Sequence, residues 1–323
     1  MRDLVISNSE MSTIQDCRRR WYLSYHLGMT KRTTSPTGLD RLGTRVHTAL
    51  ELHYGSGLTD PQTLQVLKLI YDDAITECQA ASDEDGISKL HKEHDLALVM
   101  IRGYLDWINE TGADEDVEVI SAEHDVIVPS QVTDVRFRAK LDMKIRRRSD
   151  GAIMFMDHKT TGSFDMIQQT LFLNSQARFY SLLDAMIASG TGTWYRTDGG
   201  IFNMIRRSKR TMTAKPPFYR REEIRFNTDV LKATEIKSNA VATQIRDATR
   251  GLESGSVNYL EMYPTPTRDC TWKCQFVSIC SLMDDGSRWQ AALEADYVQH
   301  DPYEYYTGTD VASYTERIRK GTK

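Results

Sequence analysis

No stretch of this 323-residue chain approaches the ~20 consecutive apolar residues that a membrane-spanning helix needs. Its start, MRDLVISNSE, lacks the basic residues and apolar middle of a secretory signal. The expectation is a protein with no membrane partner that stays where it is made. Proline is sparse, at eight residues, and no internal repeat or low-complexity tract occurs, which excludes solenoid and fibrous architectures. An excess of positive charge is also missing. Lys plus Arg number 41 against 45 Asp plus Glu, a formal charge of −4, so nucleic-acid binding has to rest on a local patch. Cysteine is scarce: five thiols in a chain this long, without a secretory signal, argue against a disulfide framework and toward metal binding, catalysis or burial.

What is present suits one large domain or two ordinary ones. Spaced apolar positions and capping residues predict helices over 7–27, 40–56, 60–82 and 87–110. From about 117 the period changes to two. VEVISAEHDVIVP, VRFRAKLDMKIRR and AIMFMDHKT read as strands, followed by a helix near 165–189, a strand GIFNMIRRS, a short strand REEIRFN and a helix over 229–253. This order predicts an α/β protein with a mixed central sheet flanked by helices. Three regions follow: a helical 1–116, a core 117–255, and a cysteine-bearing 256–323.

The segment FRAKLDMKIRR alternates cleanly, with Arg138, Lys140, Asp142, Lys144 and Arg146 on one face. In the next strand Ile153, Phe155, Asp157 and Lys159 share a face, and SDGA between the strands carries an Asp-Gly turn signal. A two-residue turn at Asp150 and Gly151 would set Asp142 opposite Lys159, with Asp157 diagonal to it. Two carboxylates and an amine on one patch suit a hard cation such as Mg²⁺ or Mn²⁺, with the lysine orienting a water that attacks a phosphodiester. A solvated ion pair between neighbouring strands is the other reading of the same residues.

Further residues bear on that choice. GTRVHTALELHY places His47 and Glu51 on one face of a helix, and SQARFYSLL does the same for Gln176 and Tyr180. Cys17 stands far from the trio Cys270, Cys274 and Cys280; four thiolates brought together could hold Zn²⁺ or an iron-sulfur cluster, and spacing does not separate the two. Cys78, in AITECQAA, has no companions and reads as a buried thiol. Residues 205–221 hold seven Lys or Arg and no acid, including Arg206, Arg207, Lys209 and Arg210, together with Phe218 and Tyr219. Such a loop could track phosphates while an aromatic stacks on a base, or be a solvated surface loop. Arg18 and Arg19, beside Cys17, form a second candidate DNA contact.

In this order His47, Asp142, Asp157 with Lys159, Gln176 with Tyr180, and the four cysteines resemble the PD-(D/E)xK nucleases of the RecB-like branch. The likeness is to its iron-sulfur members: CRISPR-associated RecB-like exonucleases, AddB-type nuclease domains and phage relatives. The resemblance touches most of residues 7–282. It implies a restriction-endonuclease-like core with an N-terminal helical region and a C-terminal cysteine segment. It further implies that His47, Asp142, Asp157 and the carbonyl of His158 bind the catalytic Mg²⁺ or Mn²⁺, that Lys159 serves the attacking water, and that Gln176 and Tyr180 line the DNA path. Cys17, Cys270, Cys274 and Cys280 would hold a 4Fe-4S cluster, Zn²⁺ being the alternative. The implied function is a metal-dependent deoxyribonuclease, an exonuclease on single-stranded DNA or DNA ends, in the cytoplasm of a bacterial or phage-infected cell. Recombination or CRISPR-adaptation proteins are the implied partners. The rival reading is a catalytically weak DNA-binding or partner-binding subunit of such a complex.

Overall fold

A computed structural model describes residues 4–32, 34–190, 198–307 and 311–321. The strands among them are β1 (Leu4–Ser7), β2 (Met29–Lys31), β3 (Val117–Pro129), β4 (Val135–Arg147), β5 (Ile153–Thr161), β6 (Gly200–Arg206), β7 (Tyr219–Ile224) and β8 (Tyr297–Gln299). Helices α1 (Asn8–Asp16), α2 (Arg18–Trp21), α3 (Leu39–Ser56), α4 (Asp60–Ala80), α5 (Glu84–Thr111), α6 (Phe164–Thr170), α7 (Ser175–Gly190), α8 (Thr228–Ser254) and α9 (Val277–Cys280) supply most of the rest. The larger sheet is mixed, as the sequence order predicts, and runs β1-β4-β5-β6-β7 with β3 also paired to β4.

The chain divides into two compact units, and β4 passes through both. The first comprises Met1–Thr34, Val126–Ala139 and Asp229–Gly308. In it β1 lies parallel to the Val135–Arg138 part of β4, and β2 pairs antiparallel with β8. The helix expected over 7–27 is interrupted. Ser7 caps α1 by accepting from Glu10 N, Cys17 then takes an extended conformation, and α2 and a π-turn over Tyr22–His26 follow. β1, β2 and β8, of three or four residues, are too short for a period-two signal to register.

The second unit comprises Ser35–Asp125, Lys140–Thr228 and Thr309–Lys323. Its core lies among α3, α4 and α5. Leu42, Val46, Ala49 and Leu50 of α3 meet Leu67 and Tyr71 of α4 and Leu90, Ala97, Ile101 and Tyr104 of α5. That helical spacing turns His47 and Glu51 to the margin of the buried stripe, where both are half-buried. Three of the four ends of α4 and α5 carry local signals: a Thr59–Gln62 capping box starts α4, Asp83 caps α5, and Gly112 ends α5 at φ +64°. The helix expected over 165–189 is broken into α6, a 3₁₀ turn over Leu171–Leu173 and α7, because Asn174 turns extended and its side chain caps α7 at Ala177 N.

The β4–β5 hairpin differs from expectation by two residues. Met143 pairs with Met156, Lys144 with Phe155, and Arg146 with Ile153. The loop closes at Arg147 and Ala152, with Gly151 in the left-handed region at φ +72°. An isolated Asp-Gly turn would keep Ser149 opposite Ala152, but here Ser149 donates through both N and Oγ to Asp116, while Asp150 pairs with Arg147. These contacts draw the residues out of the ladder. Because the shift is even, every side chain keeps its face. Continued by one pair, the register sets Asp142 opposite Asp157 rather than opposite Lys159.

Candidate active site

β4 and β5 offer two faces to the second unit. Met143, Ile145, Met154 and Met156 fill one, packing with Val119 and Tyr54. The other carries Asp142 and Lys144 from β4 and Asp157 and Lys159 from β5. Lys144 Nζ donates to Asp184 Oδ1 of α7 at 2.5 Å, and the Phe155 ring meets Tyr180 edge-on, so α7 covers this face.

Asp142 and Asp157 are both buried. Asp142 Oδ2 accepts from the backbone N of His158 at 2.8 Å and lies 3.4 Å from His47 Nδ1. Lys159 Nζ stands 2.7 Å from Asp157 Oδ2 and donates to Gln176 Oε1 at 2.8 Å; Gln176 Nε2 donates in turn to Tyr180 OH at 2.7 Å. The spacing of Gln176 and Tyr180 on α7 thus becomes a relay ending on the lysine. His47, Asp142, Asp157, Lys159, Gln176 and Tyr180, which span 134 positions of sequence, come together within the second unit.

The two carboxylates titrate apart. Burial pushes Asp142 up, but His47, His158, Lys159 and the His158 N–H outweigh it and hold the acid below the usual carboxylate range. For Asp157 burial prevails over the Lys159 ammonium, and the Asp142 charge adds to it, so its affinity for a proton rises. Burial works against the Lys159 charge, yet Asp157 and Asp142 more than restore it, and the amine stays protonated. Half-buried Glu51 is pushed up to about 7 by burial, with Lys140 opposing and Asp142 reinforcing.

The His158 ring takes no part in the acidic face. It stacks on Tyr54, with centroids 5.8 Å apart and planes at 18°, and its Nδ1 accepts from Asn203 Nδ2 at 2.7 Å. Asn203 Nδ2 also donates to Tyr104 OH, and Asn203 Oδ1 accepts from Arg221 Nε. Burial depresses the imidazole to about 3, so it is neutral, with the proton on Nε2. Its backbone is what the site uses. Asn203, whose signal is an amide inside an apolar strand, and the Lys144–Asp184 pair, for which no local signal exists, escaped the sequence reading.

The donors fit a hard cation in chemistry. Two buried carboxylates on neighbouring strands form a patch that a cation would relieve; Asp157 Oδ2, apart from its ion pair, has no well-aligned hydrogen bond among the described residues. No three His, Cys, Asp or Glu side chains close round an ion there or elsewhere among the described residues.

In the first unit Cys17 sits between α1 and α2, Cys270 in a 3₁₀ turn, Cys274 in the turn after it, and Cys280 at the end of α9; all four are half-buried and free. Burial pushes the Cys274 and Cys280 thiols up, and Cys17 adds to both, so these three lie within electrostatic reach; Cys270 acts likewise on Cys274. Thiols fit a soft metal or a cluster in donor type, but no three of them close round an ion among the described residues. Cys78 is buried in the second unit, apart from them.

The basic candidates divide. Arg19 is 1% exposed: its guanidinium is bidentate on Asp284 at 2.7 Å and also donates to the carbonyls of Cys280 and Met262. It cannot meet a phosphate, and the expectation of a DNA contact there is corrected to a structural one. Arg18 lies over the Tyr263 ring at 5.3 Å. Arg210 covers Phe218 at 3.5 Å and donates to Tyr219 OH, which itself donates to Met100 O; Tyr219 is buried in the core. The aromatics of this loop are therefore committed to packing and do not offer a free face to a base. Arg206 donates to Lys215 O, Lys209 is exposed, and Arg207 is tied by its backbone N to Thr161 O at the end of β5.

A family model of the PD-(D/E)XK nuclease superfamily matches residues 5–281 of this chain. No curated protein matches it. Among solved structures, that of SSO0001 aligns over 64% of this chain and 79% of its own, with 15% identity and a TM-score of 0.30. No helix among the described residues is long and apolar enough to cross a membrane.

Proposed function

This chain belongs to the PD-(D/E)XK nuclease superfamily, and on that premise we propose that it is a metal-dependent deoxyribonuclease of the RecB-like branch, acting on single-stranded DNA or DNA ends. The observation that carries the reading is the placement of buried Asp142 and Asp157 on the neighbouring strands β4 and β5, Asp142 accepting from His158 N, with Lys159 fixed between Asp157 and the Gln176–Tyr180 relay.

Asp142, Asp157, His47 and the carbonyl of His158 would hold Mg²⁺ or Mn²⁺, which supplies hydroxide near neutral pH and relieves charge on the phosphorane. The protein's own groups do the rest. Asp142, kept ionised by His47 and the His158 N–H, presents a fixed anion. Lys159 remains an ammonium, so it aims a water or steadies a phosphoryl oxygen as a donor and does not act as the resting base. Gln176 fixes where that ammonium points. Arg206, Arg207 and Lys209 would meet phosphates of the strand. Cys17, Cys270, Cys274 and Cys280 would carry a 4Fe-4S cluster that closes the first unit, making its binding part of that unit's folding energy.

The test is digestion of single-stranded and duplex DNA in Mg²⁺ or Mn²⁺ by wild type, Asp157→Ala and Lys159→Ala. Wild-type cleavage that both substitutions abolish supports the reading, and equal rates in all three would remove it.

A further inference from the structure

Three large apolar side chains stand in water within eight residues: Met166 at 72% exposure, Phe172 at 63% and Leu173 at 72%. They sit on α6 and the 3₁₀ turn behind it, between the two halves of the candidate active site. Lys159 precedes the segment by five residues, and Gln176 follows Leu173 by three. The segment is not loose. Phe164 and Leu171 are buried and pin its inner side, Thr161 Oγ1 donates to Ser163 O, and Arg178 Nε donates to Phe172 O at 2.7 Å. The Phe172 ring meets Phe226 only by its edge, at 6.1 Å and 85°. A fixed segment that holds apolar groups out of its own core has a use for them outside.

Charge points to the occupant. Residues 160–183 contain one carboxylate, Asp165, in a chain with 45. Two cations flank the segment. Arg178 is held over Phe226, and Arg207 lies beside Gly162, its Nη2 3.9 Å from where a Cβ at 162 would stand. Arg207 Nε is buried without a hydrogen-bond partner among the described residues. A polyanion satisfies these cations; an apolar or acidic protein surface does not satisfy both cations and shelf. The aromatics of the basic loop, already covered, cannot serve instead.

We propose that the connection from α6 to α7 is a stacking shelf for unpaired nucleobases. One base of a single strand lies on Phe172 and packs against Met166 and Leu173, while Arg178 and Arg207 hold the flanking phosphates. The inference rests on the nuclease reading and narrows it, since a base inside a duplex has no free face to offer and a single strand does. The shelf then selects single-stranded DNA, or the melted end of a duplex, at the site of cleavage.

The test uses the full chain and an oligonucleotide carrying 2-aminopurine, single-stranded or annealed, with Mn²⁺ for cleavage and EDTA for binding. Phe172→Ala is expected to raise the single-strand KM about tenfold with kcat unchanged, and to lose the fluorescence quenching that accompanies stacking. Phe172→Trp restores both. As Phe172 is exposed, neither substitution threatens the fold. A wild type that cuts, with Phe172→Ala matching it in KM and quenching, overturns the shelf and leaves the nuclease reading standing. A wild type no faster than Asp157→Ala removes the nuclease reading instead. Unchanged DNA binding with loss of self-association in sedimentation would make the patch a protein interface, which also overturns the proposal.

Discussion

The acidic face of the second unit and the thiol group of the first are built by contrasting means. Asp142, Asp157 and Lys159 stand on strands whose backbones are hydrogen-bonded to neighbours whatever is bound, and α7 reaches over to fix the lysine. Cys17, Cys270, Cys274 and Cys280 stand on helix junctions and turns, half-buried, with Arg19 tying Cys280 back through its carbonyl. Strand-borne groups are positioned before a ligand arrives, and turn-borne groups depend on the ligand for their final order. Losing a group from the acidic face should cost chemistry and little stability; losing one of the thiols should cost stability first.

Substitutions can break that contrast. The largest effect is expected for Asp157→Ala, which should lower Mn²⁺-dependent cleavage by about three orders of magnitude or more with little change in Tm. A large drop in Tm would show that the acidic face is structural. Lys159→Ala should cost about 10²-fold to 10⁴-fold in kcat, the range for a group that assists proton movement or positions water, with the loss in kcat rather than KM. Cys17→Ser should instead remove iron and visible absorbance from an anaerobic preparation and lower Tm. If iron and sulfide are absent from wild type and one zinc per chain is found, the cluster is wrong and the contrast stands with a different metal.

A smaller effect tests burial in the first unit. Glu10 is buried, accepts from Trp21 Nε1 at 2.8 Å and from Tyr303 OH, and burial pushes it up to about 7 despite those bonds. An acid raised on folding binds its proton more tightly in the native state, so its contribution is fully present below the unfolded value near 4.5. It is then lost as pH rises through the folded value. Stability should fall between about pH 4.5 and 7 by about 3 kcal/mol and then level off. Glu10→Gln should flatten that slope in urea melts, and an unchanged slope would place the carboxylate in contact with water. Least in size, Lys209→Ala should reduce the salt dependence of DNA binding by about one unit of slope, whereas Arg19→Lys should leave it alone and act on Tm.

Much of this could be read from residues alone, and the exceptions have physical causes. The alternation of FRAKLDMKIRR fixes which side chains share a face, so Asp142 and Asp157 meet despite the wrong register. The register itself depended on Asp116 capturing Ser149, a contact from outside the hairpin that no turn rule contains. The break at Asn174 hid inside an apolar period, because Leu171 is buried while Leu173 is not. Arg19 looked like a surface cation until Asp284, 265 positions away, was placed against it. Phe218 and Tyr219 looked like stacking aromatics until Arg210 and the core took both. Contacts near in sequence were legible, and partners chosen by tertiary packing were not.

The central claim is that the opposed pair Asp142 and Asp157, with Lys159, cuts DNA. It is tested most directly by incubating 5′-labelled and 3′-labelled single strands with the full chain in Mn²⁺, beside Asp157→Ala of unchanged Tm. The account predicts progressive shortening by wild type and intact label with the variant. Equal cleavage by the two proteins, or none by either when Mn²⁺ is saturating, would contradict it.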